Sequence, residues 1–282
     1  MRIFAFADEA SPSIDLQIAA MKRNGLQGLE IRNVDGENVS NISLEKAKEV
    51  LGKMKDAGLV VWSIGSPIGK IDIEKDDYPA HLEKLRHTIE IAQALESENI
   101  RLFSFYIPKD KKPEDFRQQV IDRMGEMARI AEGSGVTLCH ENEKDIFGDT
   151  PQNEKALLDR FGGRLRAVLD SGNFAFCRFD PAPAYGLLKD YIDYMHIKDA
   201  DAEGVIVPPG KGCALLEETL RSLNADYPDR ELVLTMEPHL MMFTGLSSLS
   251  KLDDIKHKYS FSTPFEAFET ATSAVREMLA RL

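Results

Sequence analysis

Short apolar runs rich in β-forming residues recur eight times along the chain, at about 3–8, 28–32, 60–65, 100–106, 136–142, 165–171, 193–198 and 232–238. Between them the apolar residues take up helical spacing. The pattern is clearest at Phe116, Val120, Met124, Met127 and Ala131, which share one face and stop before Gly133, a residue suited to a C-cap. The last helix carries a full start signal, with Thr263 as N-cap, Pro264 at the first helical position and Glu266 placed for a capping box. Eight alternating strand and helix units close into a (β/α)8 barrel more readily than they form an open doubly wound sheet, and no G-x-G-x-x-G follows the first run. The expected fold class is therefore α/β, with residues 1–282 forming one barrel domain. No linker, low-complexity tract or internal repeat marks a second unit.

Composition narrows the partners. Hydrophobic residues make up 43% of the chain and charged residues 29%, enough apolar material for a large core. A net charge of −12 without any Lys/Arg block opposes nucleic acid and anionic membranes. Cys139, Cys177 and Cys213 form no C-x-x-C pair, so neither a disulfide framework nor a thiolate metal site is expected. The N-terminal segment has no long apolar stretch and nothing approaches the roughly 20 apolar residues of a membrane span, so a cytoplasmic location is expected.

Four of the runs end in residues that fit one another: Cys-His-Glu-Asn at 139–142, Val-Leu-Asp at 168–170, Met-His-Ile-Lys-Asp at 195–199 and Thr-Met-Glu-Pro-His at 235–239. In a barrel the C-terminal strand ends converge on one mouth, so Glu141, Asp170, His196 and Glu237 are expected to meet there. Three crowded carboxylates would raise one another's pKa, and a divalent cation relieves that repulsion. An oxygen-rich set with one imidazole suits Mn²⁺, Mg²⁺ or Co²⁺, with Zn²⁺ also compatible, and the donor set does not choose among them. Strand alternation turns His140 toward the helices and His239 toward the mouth. Trp62 and Phe105 are read as core.

The order Glu, Asp, His, Glu on the last four strands resembles the xylose isomerase-like superfamily of barrels, in particular the sugar phosphate isomerases/epimerases with their ketose 3-epimerases and inosose dehydratases. Gly-Leu-Glu-Ile-Arg at 28–32, Ser-Ile-Gly-Ser-Pro at 63–67, His-Ile-Lys-Asp at 196–199 and Pro-Gly-Lys-Gly at 209–212 are similar to family segments, and the resemblance covers nearly the whole chain. It implies that Glu141 and Glu237 bind the metal and also handle protons on opposite faces of a small carbohydrate. A metal-chelated carbonyl and hydroxyl acidify the intervening C–H, and the resulting enediolate leads to epimerisation, isomerisation or loss of a β-hydroxyl.

Asn173 departs from the pattern, because ketose 3-epimerases carry a substrate-contacting His there, and an amide shuttles no proton. Lys198 falls on the same side of its strand as His196, within reach of a substrate oxygen or of a neighbouring carboxylate. Arg32 and Lys70 are expected to bind a substrate phosphate or carboxylate. The alternatives are a lyase of the same family, such as an inosose-type dehydratase or an enzyme eliminating from 3-oxo-glycosides, an endonuclease-IV-like nuclease, and a silent sugar-binding barrel. Six His and the acidic charge oppose the nuclease. The long loop from His239 to Ser262 carries Leu240, Met241, Met242, Phe243 and Leu246, which marks it as a lid or a subunit contact; a homo-oligomer is expected.

Overall fold

The structure, a computed structural model, describes residues 1–241 and 258–282. Its strands are β1 (Arg2–Ala5), β2 (Gly28–Ile31), β3 (Val60–Gly65), β4 (Asn99–Leu102), β5 (Thr137–Glu141), β6 (Leu165–Leu169), β7 (Ile192–Ile197) and β8 (Val233–Met236). Each pairs in parallel with its sequence neighbours, and β8 closes on β1 through the register Arg2↔Val233 to Ala5↔Met236. The helices are α1 (Ile14–Arg23), α2 (Leu44–Asp56), α3 (Tyr78–Ala94), α4 (Pro113–Ala131), α5 (Pro151–Phe161), α6 (Ser171–Phe176), α7 (Ala182–Leu188), α8 (Leu216–Asp226) and α9 (Pro264–Leu279). This is the closed (β/α)8 barrel that the alternation foretold. No helix among the described residues is long and apolar enough to cross a membrane.

Local sequence fixes the helix starts. Ser43, Asp77, Thr150 and Thr263 each accept a backbone N–H of the first turn, in α2, α3, α5 and α9 respectively. Each such cap stabilises by about 1 kcal/mol. The α9 signal is used as written in the sequence, except that the Glu266 carboxylate reaches back to the Ser262 N–H at 2.7 Å instead of the Thr263 N–H. The α4 face of Phe116, Val120, Met124, Met127 and Ala131 is buried, and Gly133 beyond its end has φ +75°.

The fourth strand is shorter than its apolar run. Past Leu102 the backbone leaves the barrel ladder and pairs with the long loop after β3: Phe103 N donates to Ile68 O at 2.8 Å and Phe105 N to Gly69 O at 3.0 Å. The run stays apolar because that loop covers it. Phe105 and the stacked Phe4–Trp62 pair, 5.5 Å apart, belong to the core. Inside the barrel Phe4, Trp62, Cys139, Val168, Tyr194 and Val233 pack into an apolar floor early in the strands. Above that floor the interior turns polar. Met242, Phe243 and Leu246 lie outside the described residues, whereas Leu240 is buried and Met241 packs on the core.

Gly28 shows how tightly β2 and β3 approach, since a Cβ there would sit 1.9 Å from Val60 O. Gly52 in α2 is exposed with nothing within 4 Å of an added Cβ. Gly28→Ala is therefore expected to destabilise the barrel by about 2 kcal/mol or more, and Gly52→Ala to stabilise it by about 0.5–1 kcal/mol. Urea unfolding of both variants checks the contrast.

Candidate metal centre

Four successive strands deliver the four residues singled out in the sequence. Glu141 ends β5, Asp170 directly follows β6, His196 lies in β7 and Glu237 directly follows β8. One ligand atom from each falls within 4.8 Å of the others, and all four are buried. His196 Nδ1 stands 3.3 Å from Glu141 Oε1, 3.2 Å from Glu237 Oε2 and 3.9 Å from Asp170 Oδ2.

The second oxygen of each carboxylate is held from outside the cluster. Arg101 Nη1 donates to Glu141 Oε2 at 3.0 Å, and Arg32 Nη1 donates to Glu237 Oε1 at 2.9 Å. Asp170 is the N-cap of α6, its Oδ1 accepting the Asn173 N–H at 2.9 Å. Asn142 fixes the Asp170 backbone on both sides, donating to its carbonyl at 2.7 Å and accepting its N–H at 3.0 Å. On the far side of the imidazole, His196 Nε2 faces Glu30 Oε2 at 3.0 Å, and Glu30 Oε1 accepts the Tyr194 hydroxyl at 2.7 Å. What remains inside is instructive. His196 Nδ1, Asp170 Oδ2 and Glu237 Oε2 are buried and lack a well-formed hydrogen bond, their contacts being ion pairs with one another and, for the two oxygens, with the Lys198 ammonium. Buried oxygens of this kind need a positive partner, and here the Lys198 ammonium is the one that meets Asp170 Oδ2 and Glu237 Oε2. Three carboxylate oxygens and one imidazole nitrogen thus form a donor set that fits a divalent cation.

Charge balance sets the protonation of the cluster. Burial pushes the Glu141 carboxyl up, but the positive His196 and Arg101 beside it outweigh this and leave its pKa at about 2. Burial wins at Asp170, whose pKa rises to about 6 although Lys198 pulls it down. Glu237 is held well below the carboxylate range against burial, chiefly by the Lys198 ammonium. His196 opposes burial too, since Glu141 and Glu30 raise it well above its ordinary value.

The remaining candidates take different places. Asn173 Nδ2 donates to Glu141 Oε1 at 3.1 Å and to Asn142 O at 2.8 Å. Lys198 Nζ donates to Asn173 Oδ1 at 3.0 Å and lies 3.0 Å from Asp170 Oδ2 and 2.9 Å from Glu237 Oε2. Lys70 pairs with Glu143 at 3.0 Å and lies over the Phe103 ring. Arg32 is buried and turned inward: besides Glu237 it grips both Asp8 oxygens at 2.9 Å and Glu9 at 3.3 Å. His140 is structural, between Glu154 and Ser104, as alternation implied. His239 does reach the mouth, its ring 3.5 Å from both Glu9 and Glu237. Glu9, Glu237 and His239 form a second grouping with ligand atoms within 4.8 Å, but the Arg32 guanidinium already faces its two carboxylates. Burial raises Glu9 to about 8 despite that guanidinium.

Glu30, Arg101, Asn142, Asp8 and Glu9 were missed in the sequence. A charged residue inside an apolar run, as in Gly-Leu-Glu-Ile and Asn-Ile-Arg-Leu, was the available signal for the first two.

Comparisons with known proteins agree with the barrel fold. No curated protein matches the sequence. Among solved structures, the IolI protein with a bound zinc atom superposes with a TM-score of 0.73 at 18% identity, covering 100% of this chain and 99% of that one. D-psicose 3-epimerase of Clostridium cellulolyticum H10 with D-tagatose gives 0.73 at 14% identity, covering 99% of each chain. The probable 3-DHS dehydratase AsbF of Bacillus anthracis gives 0.73 at 14%, covering 98% of each. At such identities the likeness speaks for the fold. The family model described as xylose isomerase-like TIM barrel matches residues 18–252, and the chain belongs to that family.

Proposed function

We propose that the chain is a divalent-metal-dependent isomerase or epimerase of a small sugar or sugar phosphate, acting by proton removal next to a carbonyl through an enediolate. The observation that carries this reading is the convergence of one buried ligand atom from each of Glu141, Asp170, His196 and Glu237 within 4.8 Å, while the outer carboxylate oxygens are tied down. Glu141, Asp170, His196 and Glu237 would hold the ion, with Mn²⁺ foremost and Mg²⁺, Co²⁺ or Zn²⁺ compatible; the similar IolI structure carries zinc. Bound there, the ion would polarise a carbonyl and its neighbouring hydroxyl and acidify the C–H between them.

The chain's own groups do the rest. Glu141 and Glu237 come from β5 and β8, with β6 and β7 between them, so they flank the centre. One takes the proton and the other returns it, and Arg101 and Arg32 fix their aim. Lys198, beside both Glu237 and Asn173, donates to the oxygen that gains charge, while the Asn173 amide orients a hydroxyl. Lys70, next to Glu143, which itself stands two residues beyond Glu141, suits a phosphate or carboxylate at the rim. Arg32 acts through Glu237, since its contacts with Asp8, Glu9 and Glu237 point it into the barrel.

A second reading, elimination, is favoured by Asn173. Its amide is shared among Glu141, Asn142 and Lys198 and offers no second proton carrier beside Asp170. A lyase needs one base and a donor to the leaving oxygen, which Glu141 or Glu237 and Lys198 supply. Incubation with ketoses, inososes and 3-oxo-glycosides in heavy water separates the two readings. Deuterium uptake without loss of mass marks an isomerase or epimerase, and departure of water or an aglycone marks the lyase.

In the same assay Glu141→Gln and Glu237→Gln should each keep the metal yet lose at least about a hundredfold in C–H exchange. Near-wild-type exchange in both would remove the glutamates as bases. Glu30→Gln tests the support of the imidazole: metal affinity measured by calorimetry should fall roughly 10–100-fold. An unchanged affinity would leave Glu30 with a purely structural part.

A further inference from the structure

Three buried cations neutralise the carboxylates, and they do so from different sides. Arg101 and Arg32 take the outer oxygens, Glu141 Oε2 and Glu237 Oε1. Of these three side chains, which add to the His196 imidazole, only Lys198 faces inward oxygens, Asp170 Oδ2 at 3.0 Å and Glu237 Oε2 at 2.9 Å, with its side chain 4% exposed. These are two of the atoms that a divalent ion would need. Hard cations sit about 2.0–2.4 Å from oxygen ligands, which puts the ammonium within roughly 5 Å of an ion held by the same oxygens. At that range, inside a buried site, a single and a double positive charge repel strongly. The arginines escape the conflict, because each leaves its carboxylate's inner oxygen free to turn to the ion.

We propose that the Lys198 ammonium is a tethered counter-ion that competes with the divalent ion for Asp170 and Glu237, and that metal uptake swings it aside toward Asn173. The inference rests on reading the cluster as a metal centre. Lysine suits the task, being a point charge on a flexible four-carbon stem, where arginine would present a rigid fork. The base of the stem is fixed: a Cβ at Gly172 would come within 2.3 Å of Lys198 O and 2.7 Å of Lys198 Cβ, so α6 packs directly on it. The far end has a third partner outside the donor set, Asn173 Oδ1 at 3.0 Å, and Asn173 in turn touches Glu141. A displaced ammonium therefore stays beside the proposed base, where a substrate oxygen would meet it. The same side chain holds the carboxylates together and weakens the metal that replaces it.

Mn²⁺ binding to the full chain, measured by competition with a chelator of known affinity, tests the proposal in Lys198→Met and Lys198→Gln. Both variants are expected to bind Mn²⁺ at least about tenfold more tightly than wild type, and to gain more in unfolding temperature on adding it. A variant that fails to fold alone is prepared with Mn²⁺ present, and the competition still reports its affinity. A crystal structure of the Mn²⁺-loaded wild type should show Nζ beyond about 4 Å from both Asp170 Oδ2 and Glu237 Oε2. Unchanged or weaker Mn²⁺ binding in both variants, or an ammonium still on both oxygens of the loaded protein, overturns the competition while leaving the metal centre standing. Failure of wild type and variants alike to bind Mn²⁺ overturns the metal-centre reading itself, and the inference with it.

Discussion

Mutual repulsion among Glu141, Asp170 and Glu237 is the force that this barrel mouth has to contain. Carboxylates whose inward atoms lie within 4.8 Å of one another repel by about 3–4 kcal/mol per ionised pair at an effective dielectric of 20. Burial makes ionisation costlier still. The surrounding sequence answers with cations placed by distant strands: Arg101 from β4, Arg32 just past β2, Lys198 just past β7 and the imidazole of His196. Phe6 stands among them, its ring 4.3 Å from the Arg32 guanidinium and 5.3 Å from that of Arg101, and edge-on to His196. An aromatic face there favours positive charge and spaces the cations, so the acidic cluster and its counter-charges form one network.

The apolar floor of the barrel serves that network from below. Phe4, the partly buried Trp62 and Tyr194 pack together there. Tyr194 belongs to both zones, its ring packed in the floor and its hydroxyl bound to Glu30 and Ser63. Glu30 in turn holds the imidazole. A line of contacts therefore runs from the apolar cluster through Tyr194 and Glu30 to the imidazole that faces the centre.

The closing topology was legible because strands and helices alternate in sequence order, and the four strand-end residues were legible because such a barrel brings its C-terminal ends together. Their support was not. Arg101 meets Glu141 across 40 residues, His196 meets Glu30 across 166, and Arg32 meets Glu237 across 205. No periodicity encodes such pairings, since strand alternation tells which side chains face inward and not which of them touch. Arg32 illustrates the gap: its position just past a strand reads equally well as a loop cation for substrate, until Asp8 and Glu9 are seen beside it. The fourth run misled for a related reason. Apolar residues after Leu102 are covered by a returning loop, and cover by a loop leaves the same hydrophobic signature as cover by a strand.

One detail of the carboxylates limits what the mouth is able to hold. Arg101, Arg32 and the Asn173 N–H each tie one oxygen of a different carboxylate, so Glu141, Asp170 and Glu237 are confined to monodentate use. With the imidazole, the chain offers four donors in all. An ion content with six neighbours would need two further oxygens from elsewhere. Calcium, which collects six to eight oxygens and favours bidentate carboxylates, would be starved. Denticity, set by two arginines and one backbone N–H, would thereby filter any metal held there.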